Sequence, residues 1–213
     1  EAEMFQVKEL IKMLDEYDWY GVSREDGKEG GESTAILYRT KRFESKEKHT
    51  LWLSETPEQV SKGWDAMYKR TVTIIKLKDL MSSKEFYYFN THFDHIGETA
   101  RTESSRLLIN KIAKYSADYT IILSGDFNYT SNSEGYKIIT SKLSDSKYIS
   151  KAESIGGNIT FNGFGNDIKP DNKIDFIFVN NKVEVLNHII DTTTFNVLYP
   201  SDHYPVIAEI LFK

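Results

Sequence analysis

Three short polar motifs carry the side chains that could do chemistry together: Asn90-Thr91-His92-Phe93, Gly125-Asp126-Phe127-Asn128 and Ser201-Asp202-His203-Tyr204-Pro205. Between them they offer carboxylates, imidazoles and amides. Such groups take a proton from water, donate to a developing oxyanion or hold a phosphoryl oxygen. Asp126 and Asn128, two residues apart after a glycine, place a carboxylate beside an amide, although an Asx-type turn before a helix would use the same residues. Asp202-His203 joins an acceptor to a titratable ring, a pair that also occurs as plain surface structure. His92 closes the apolar run Phe86-Tyr87-Tyr88-Phe89, where a hydrogen-bonded core histidine is the ordinary reading. Asp175 lies inside Lys173-Ile174-Asp175-Phe176-Ile177-Phe178, and a carboxylate buried in such a run needs a partner. A histidine is the natural one, because carboxylates orient and polarise imidazoles.

Each motif borders a run of β-formers, and strand ends are where a rigid sheet displays functional groups. Hydrophobic spacing predicts helices over 1–17, 100–115 and 133–143. In the first, Met4, Val7, Leu10, Ile11 and Leu14 share a stripe. Strands are expected over 33–39, 50–53, 70–77, 85–91, 119–124, 158–162, 173–179, 183–190 and 206–212. The polar stretch 54–69, with Pro57 and Trp64, reads as a functional lip. No repeat, low-complexity tract or linker divides the 213 residues, so one domain is expected.

Composition narrows the chemistry. Twenty-seven Lys and Arg against 32 Asp and Glu give a net charge of −5, which tilts the partner toward a phosphorylated small molecule or a nucleic-acid end rather than long duplex DNA. Cysteine is absent, which removes thiolate catalysis and thiolate metal sites. A metal would have to sit on oxygen and imidazole. No apolar run reaches membrane-spanning length, and the composition suits cytoplasm, periplasm or secretion alike.

The ordered set Asn90-Thr91-His92, Gly125-Asp126-Phe127-Asn128, Ile174-Asp175-Phe176-Ile177-Phe178 and Ser201-Asp202-His203-Tyr204-Pro205 resembles the endonuclease/exonuclease/phosphatase superfamily of deoxyribonuclease I-like enzymes. Leu51-Trp52-Leu53-Ser54-Glu55-Thr56-Pro57, Ser61-Lys62-Gly63-Trp64-Asp65-Ala66 and Asn90-Thr91-His92-Phe93-Asp94-His95 are similar to blocks of a bacterial branch, so that nearly the whole chain is covered. The resemblance implies an α/β fold: a four-layer, two-sheet sandwich of mostly antiparallel and mixed strands. It also implies a monomeric phosphoesterase that uses Mg²⁺, or Mn²⁺, for in-line attack of water on a phosphomonoester or phosphodiester. Carried over residue by residue, it makes Asp126 the group that orients or deprotonates water and Asn128 the holder of a phosphoryl oxygen. His203, supported by Asp175, contacts the phosphate, and His92 donates to the phosphate or the leaving oxygen. Glu1 and Asp202 are the implied metal residues; Arg70, Asp94 and His95 face the substrate. Because the family's first strand and its metal-site Asn would precede Glu1, the resemblance also implies an N-terminally truncated domain.

Two rivals come from other classes. His92-Phe93-Asp94-His95-Ile96-Gly97 fits half of the zinc motif of the metallo-β-lactamase fold, with Asn90 where its first His should stand. A phosphate-binding module without turnover is the second. Neither a phosphate-cradling Gly-x-x-x-x-Gly-Lys loop nor a Gly-x-Ser-x-Gly elbow is present.

Overall fold

Alternation along the central strands sends neighbouring side chains to opposite faces, and both faces are buried. The computed structural model describes residues 2–166, 168–196 and 198–213. Its elements are β1 (Ala2–Glu3), α1 (Met4–Met13), β2 (Tyr17–Tyr20), β3 (Glu32–Ser33), β4 (Ile36–Arg39), β5 (Phe43–Trp52), β6 (Thr71–Asp79), β7 (Glu85–His92), α2 (Glu98–Ile112), β8 (Thr120–Asp126), α3 (Glu134–Thr140), β9 (Ser144–Asp145), α4 (Ser146–Ile149), β10 (Asp175–Val179), β11 (Val183–Ile190) and β12 (Val206–Phe212). A six-stranded sheet runs in the order β5-β6-β7-β8-β10-β9, and three antiparallel ribbons pair β1 with β3, β2 with β4 and β11 with β12. Among the strands of the described residues, β7 and β8 are the parallel pair, joined by the crossover helix α2.

On one face Ile74, Phe89, Ile121, Leu123, Phe176 and Phe178 pack with Leu108 and Ile112 of α2 and Ile139 of α3. On the other face their sequence neighbours Ile75, Phe86, Ile122 and Val179 meet Ile36 and Tyr38 of β4, Val183 and Val185 of β11, and Ile210 and Phe212 of β12. This period of two, carried by β-branched and aromatic residues, is the reason those segments are strands. It yields the expected α/β sandwich, a large mixed sheet covered by α2 and α3 on one side and by β4 and the β11–β12 ribbon on the other. None of the helices among the described residues is long and apolar enough to cross a membrane.

The boundaries depart from expectation where tertiary partners decide. The first helix stops at Met13, and Tyr17–Tyr20 leaves the helical pattern to pair with β4. The strand expected over 50–53 extends back to Phe43, because a full ladder with β6 pairs even its polar residues. The strand expected over 158–162 does not form beyond a single bridge between Phe161 and His203, since the segment spends its hydrogen bonds on the loops around the site. The 54–69 stretch is irregular, and its Asp65 caps α2. The Asp65 carboxylate accepts the backbone N–H of Ala100 at 2.6 Å and of Thr99 at 3.2 Å, where the helix's own Gly97 has no side chain to offer.

Candidate active site

Strand register builds the first half of the site. His92 at the end of β7 is the partner of Asp126 at the end of β8, and Asp175 at the start of β10 lies opposite the same Asp126. One imidazole and two carboxylates thus stand side by side from three distant parts of the chain. Gly125 makes this possible: its φ is +150°, and a Cβ there would lie 2.0 Å from the Thr91 carbonyl oxygen. Gly125→Ala is therefore expected to cost about 3 kcal/mol or more, through strain and forced separation of the strands. Urea unfolding would register it as a lower midpoint, and an unchanged midpoint would refute this account of the glycine.

Asp126 is held by its neighbours. One carboxylate oxygen accepts the Asn128 backbone N–H at 2.7 Å, and the other accepts the Asn128 side-chain amide at 3.2 Å. The same amide nitrogen also donates to the Phe93 carbonyl at 3.0 Å, while the Phe93 N–H returns a bond to the Asp126 carbonyl at 2.8 Å. Both amide hydrogens of Asn128 are engaged, so here it orients Asp126 and braces the ends of β7 and β8. Its backbone is left-handed, φ +50°, a conformation that asparagine tolerates better than most residues.

His203 arrives from the loop before β12, with Nδ1 2.8 Å from Asp175 Oδ2. Burial works against its protonation, yet the bond to Asp175 and the charges of Asp175, Asp126 and Asp202 raise its pKa to about 9. At neutral pH the ring is an imidazolium. Thr160, fully buried, ties the two segments together: its hydroxyl accepts the N–H groups of Ile174 and Asp175 at 2.9 and 3.1 Å, and its carbonyl accepts that of Tyr204 at 2.7 Å. The edge of Phe161 meets the His203 ring at 5.1 Å. Asp202 is partly exposed, and its carbonyl accepts the N–H groups of Asn162 and Gly163.

His92 behaves in the opposite sense. Its Nε2 lies 3.5 Å from Asp126 Oδ2 and its Nδ1 3.6 Å from Glu32 Oε2, but burial, reinforced by Arg70 and Arg24, pushes its pKa down to about 2. Two histidines a few ångströms from the same carboxylate are thus held in different protonation states.

A second bank comes from β3 and from the segments before β6 and after β7. Arg70 is buried, with Nε 3.4 Å from Asp94 Oδ2 and Nη2 3.2 Å from His95 Nδ1. Burial and the nearby Arg24 lower its pKa. Arg24 is bonded to Glu32 at 2.6 Å and lies over the Tyr68 ring at 5.0 Å, with His95 stacked on that ring. Arg70 and His95 line the cleft. Asp94 does not, and its assignment to the substrate is corrected. It is 2% exposed, and its oxygens accept the N–H groups of Ile96, Gly97 and Tyr68 at 3.0, 2.8 and 3.1 Å. Burial disfavours its charge, but these backbone donors outweigh that and hold the carboxyl well below the usual range. Asp94 shapes the turn into α2 and steadies Arg70. His92 and His95 turn to different partners.

A cavity of about 610 Å³, lined by Arg24, Tyr68, Arg70, His95 and Asn128, meets one of about 490 Å³ at His92, Asp126, Asp202 and His203. The larger holds the polar groups that converge, whereas the smaller runs under apolar residues such as Val7, Leu10 and Ile177. Among the described residues, potential ligand atoms of Asp126, Asp175 and His203 lie within 4.8 Å of one another. Within that group the oxygen donors open to a divalent cation are the carboxylates of Asp126 and Asp175, and Asp202 lines the same cleft. That set suits Mg²⁺ or Mn²⁺. Glu1, the other expected metal residue, lies outside the described residues.

Glu32, Arg24 and Thr160 were not singled out by the sequence. Gly30-Gly31-Glu32 reads only as a turn before a strand, and nothing in a lone threonine marks it as a clamp. An acidic residue at the start of a strand that leads into the core was the one usable signal.

No protein-family model matches the chain. A mannosyl-6-phosphatase from Bacteroides thetaiotaomicron is 37% identical, with a TM-score of 0.92 over 100% of this chain and 83% of that one. The crystal structure of an endonuclease/exonuclease/phosphatase family protein from the same organism is 38% identical, with a TM-score of 0.94 over 100% of this chain and 82% of that one. An uncharacterized protein of Acanthamoeba polyphaga mimivirus is 35% identical over 97 residues, which span 44% of this chain and 36% of that protein.

Proposed function

The chain belongs to the endonuclease/exonuclease/phosphatase family and is a phosphoesterase, and on that premise we propose that it hydrolyses a phosphomonoester of a small molecule, a sugar phosphate first among them, with the help of Mg²⁺ or Mn²⁺. The observation that carries this reading is the pairing of a fixed carboxylate, Asp126, with an imidazolium, His203, across one cleft. The preference for a monoester rests on the similarity to a mannosyl-6-phosphatase.

In this mechanism Asp126 orients the attacking water and takes its proton as the new P–O bond forms and the ester P–O bond breaks. Asn128 keeps the carboxylate in one orientation through two hydrogen bonds. His203 has Nδ1 committed to Asp175, so its Nε2–H is the donor left for a phosphoryl oxygen, where negative charge grows in the transition state. Asp175 fixes the ring and sustains its charge. Arg70 and His95 receive the non-reacting part of the substrate. His92, kept neutral, has one ring N–H, which from Nε2 is donated to a phosphoryl or leaving-group oxygen. A divalent cation held by Asp126 and Asp202, with Glu1 as the further ligand implied by the family, would supply Lewis-acid polarisation of the phosphoryl group.

Phosphate release from mannose 6-phosphate and p-nitrophenyl phosphate, set beside bis-p-nitrophenyl phosphate, tests the substrate class. The monoesters are expected to turn over faster, and preference for the diester would overturn that part of the reading. EDTA is expected to abolish turnover and added Mg²⁺ or Mn²⁺ to restore it. Full activity in EDTA would remove the cation from the scheme.

A further inference from the structure

Beside His92, Arg24, Glu32, Ser33, Thr34, Arg70, Thr71 and His92 line a cavity of about 10 Å³, and Arg24, Glu32, Arg70 and His92 also border the cleft. Ser33, Thr34, Arg70, Thr71 and His92 are each 9% exposed or less, while the Glu32 side chain is 27% exposed. Three buried polar atoms of these residues lack a hydrogen-bond partner, namely Arg70 Nη1, Ser33 Oγ and Arg24 Nε. Thr34 is not among them, because its hydroxyl lies 3.3 and 3.0 Å from those of Thr71 and Thr73. Arg70 Nη1 is 4.0 Å from Glu32 Oε2, too far for a hydrogen bond and of the order that one bridging molecule spans.

We propose that this cavity is the seat of one internal water molecule that links Arg70, Ser33 and Glu32. Such a water accepts a hydrogen bond from Arg70 Nη1 and a second from Arg24 Nε or the Ser33 hydroxyl, and donates to Glu32 and, where the serine does not donate, to Ser33 Oγ. Buried donors left without partners are costly, and a polar cavity of this volume with two to four partners is what a buried water requires. A neutral ligand fits better than an anion. The Glu32 carboxylate is part of the wall, and Asp94 and Glu25 already face the two guanidiniums, Asp94 with Oδ2 3.4 Å from Arg70 Nε and Glu25 with Oε1 3.7 Å from Arg24 Nε. The water links Arg70 to Glu32, whose Oε2 lies 3.6 Å from His92 Nδ1, so it belongs to the scaffold beside the ring whichever ester is the substrate.

High-resolution diffraction from the unmodified protein, with crystals soaked in bromide, tests the assignment. The expected result is a single ordered peak bonded to Arg70 Nη1 and Ser33 Oγ with no anomalous signal. An empty cavity between ordered side chains would overturn the proposal, and so would bromide at that position. Oxygen-17 relaxation dispersion supplies a count in solution, where Ser33→Val, which fills the space with methyl groups, is expected to show one long-lived water fewer than the unmodified protein. An equal count in a folded Ser33→Val protein would also overturn it. Should that variant fail to fold, the diffraction result decides alone.

Discussion

His203→Ala is expected to lower kcat for p-nitrophenyl phosphate by about a thousandfold, within the range usual for a positioned proton donor or a single oxyanion donor. The imidazolium is made by its surroundings: Asp175 at 2.8 Å, with Asp126 and Asp202 adding charge, raises the ring to about 9 against the opposing effect of burial. Activity that needs this proton should persist across neutral pH and fall as pH passes about 9. The sign for stability is the same. A folded-state pKa above the ordinary value of about 6.5 stabilises the fold fully below that value, and the contribution fades as pH rises through about 9. Asp175→Asn keeps the shape but removes the charge, so the alkaline limb of the rate profile should move down toward about 6.5. A limb that stays near 9 in Asp175→Asn, or His203→Ala with activity close to the parent's, would end the role given to this pair.

Much of that site was legible because its parts are sequence-local motifs at strand ends. Phe86 to His92, Thr120 to Asp126 and Asp175 to Val179 announce themselves by β-branched and aromatic alternation, and the polar residue that ends each run is visible as an interruption. Their convergence was not legible from spacing. It depends on β7 pairing in parallel with β8, which the structure shows and Gly125 physically permits. Asp94 misled because an acidic residue beside two histidines reads as chemistry, whereas its lone pairs are taken by backbone N–H groups that no pattern reveals. Glu32 and Thr160 act through contacts with residues outside their own segments, such as His92 and Tyr204, so only the folded chain shows them. The ribbon strand Tyr17–Tyr20 was lost for a related reason: four half-buried residues at the end of a helical stripe have too short a period to declare themselves.

Asp126→Asn should be the more damaging change to the chemistry, about a thousandfold to ten-thousandfold in kcat, and at the same time harmless or favourable to stability. The carboxamide is isosteric but cannot take a proton from water, and its NH₂ group would face the Asn128 amide that now donates to Asp126 at 3.2 Å. One of the two must rotate, so orientation is lost along with basicity, and small misplacements of this kind alone cost about a hundredfold. Stability moves differently because Asp126 and Asp175 are register partners, with ligand atoms within 4.8 Å, and two carboxylates so close repel each other. Removing one charge relieves that repulsion, although His203 loses part of the field that keeps it protonated. The melting temperature of Asp126→Asn should therefore equal or exceed that of the parent while turnover collapses, the pattern of a site whose function is maintained at the expense of stability. Steady-state kinetics and thermal denaturation on the same sample separate the cases. Activity within tenfold of the parent would show that another group takes the proton, and a melting temperature lower by several degrees would show that Asp126 is chiefly a structural brace for β7, β8 and β10.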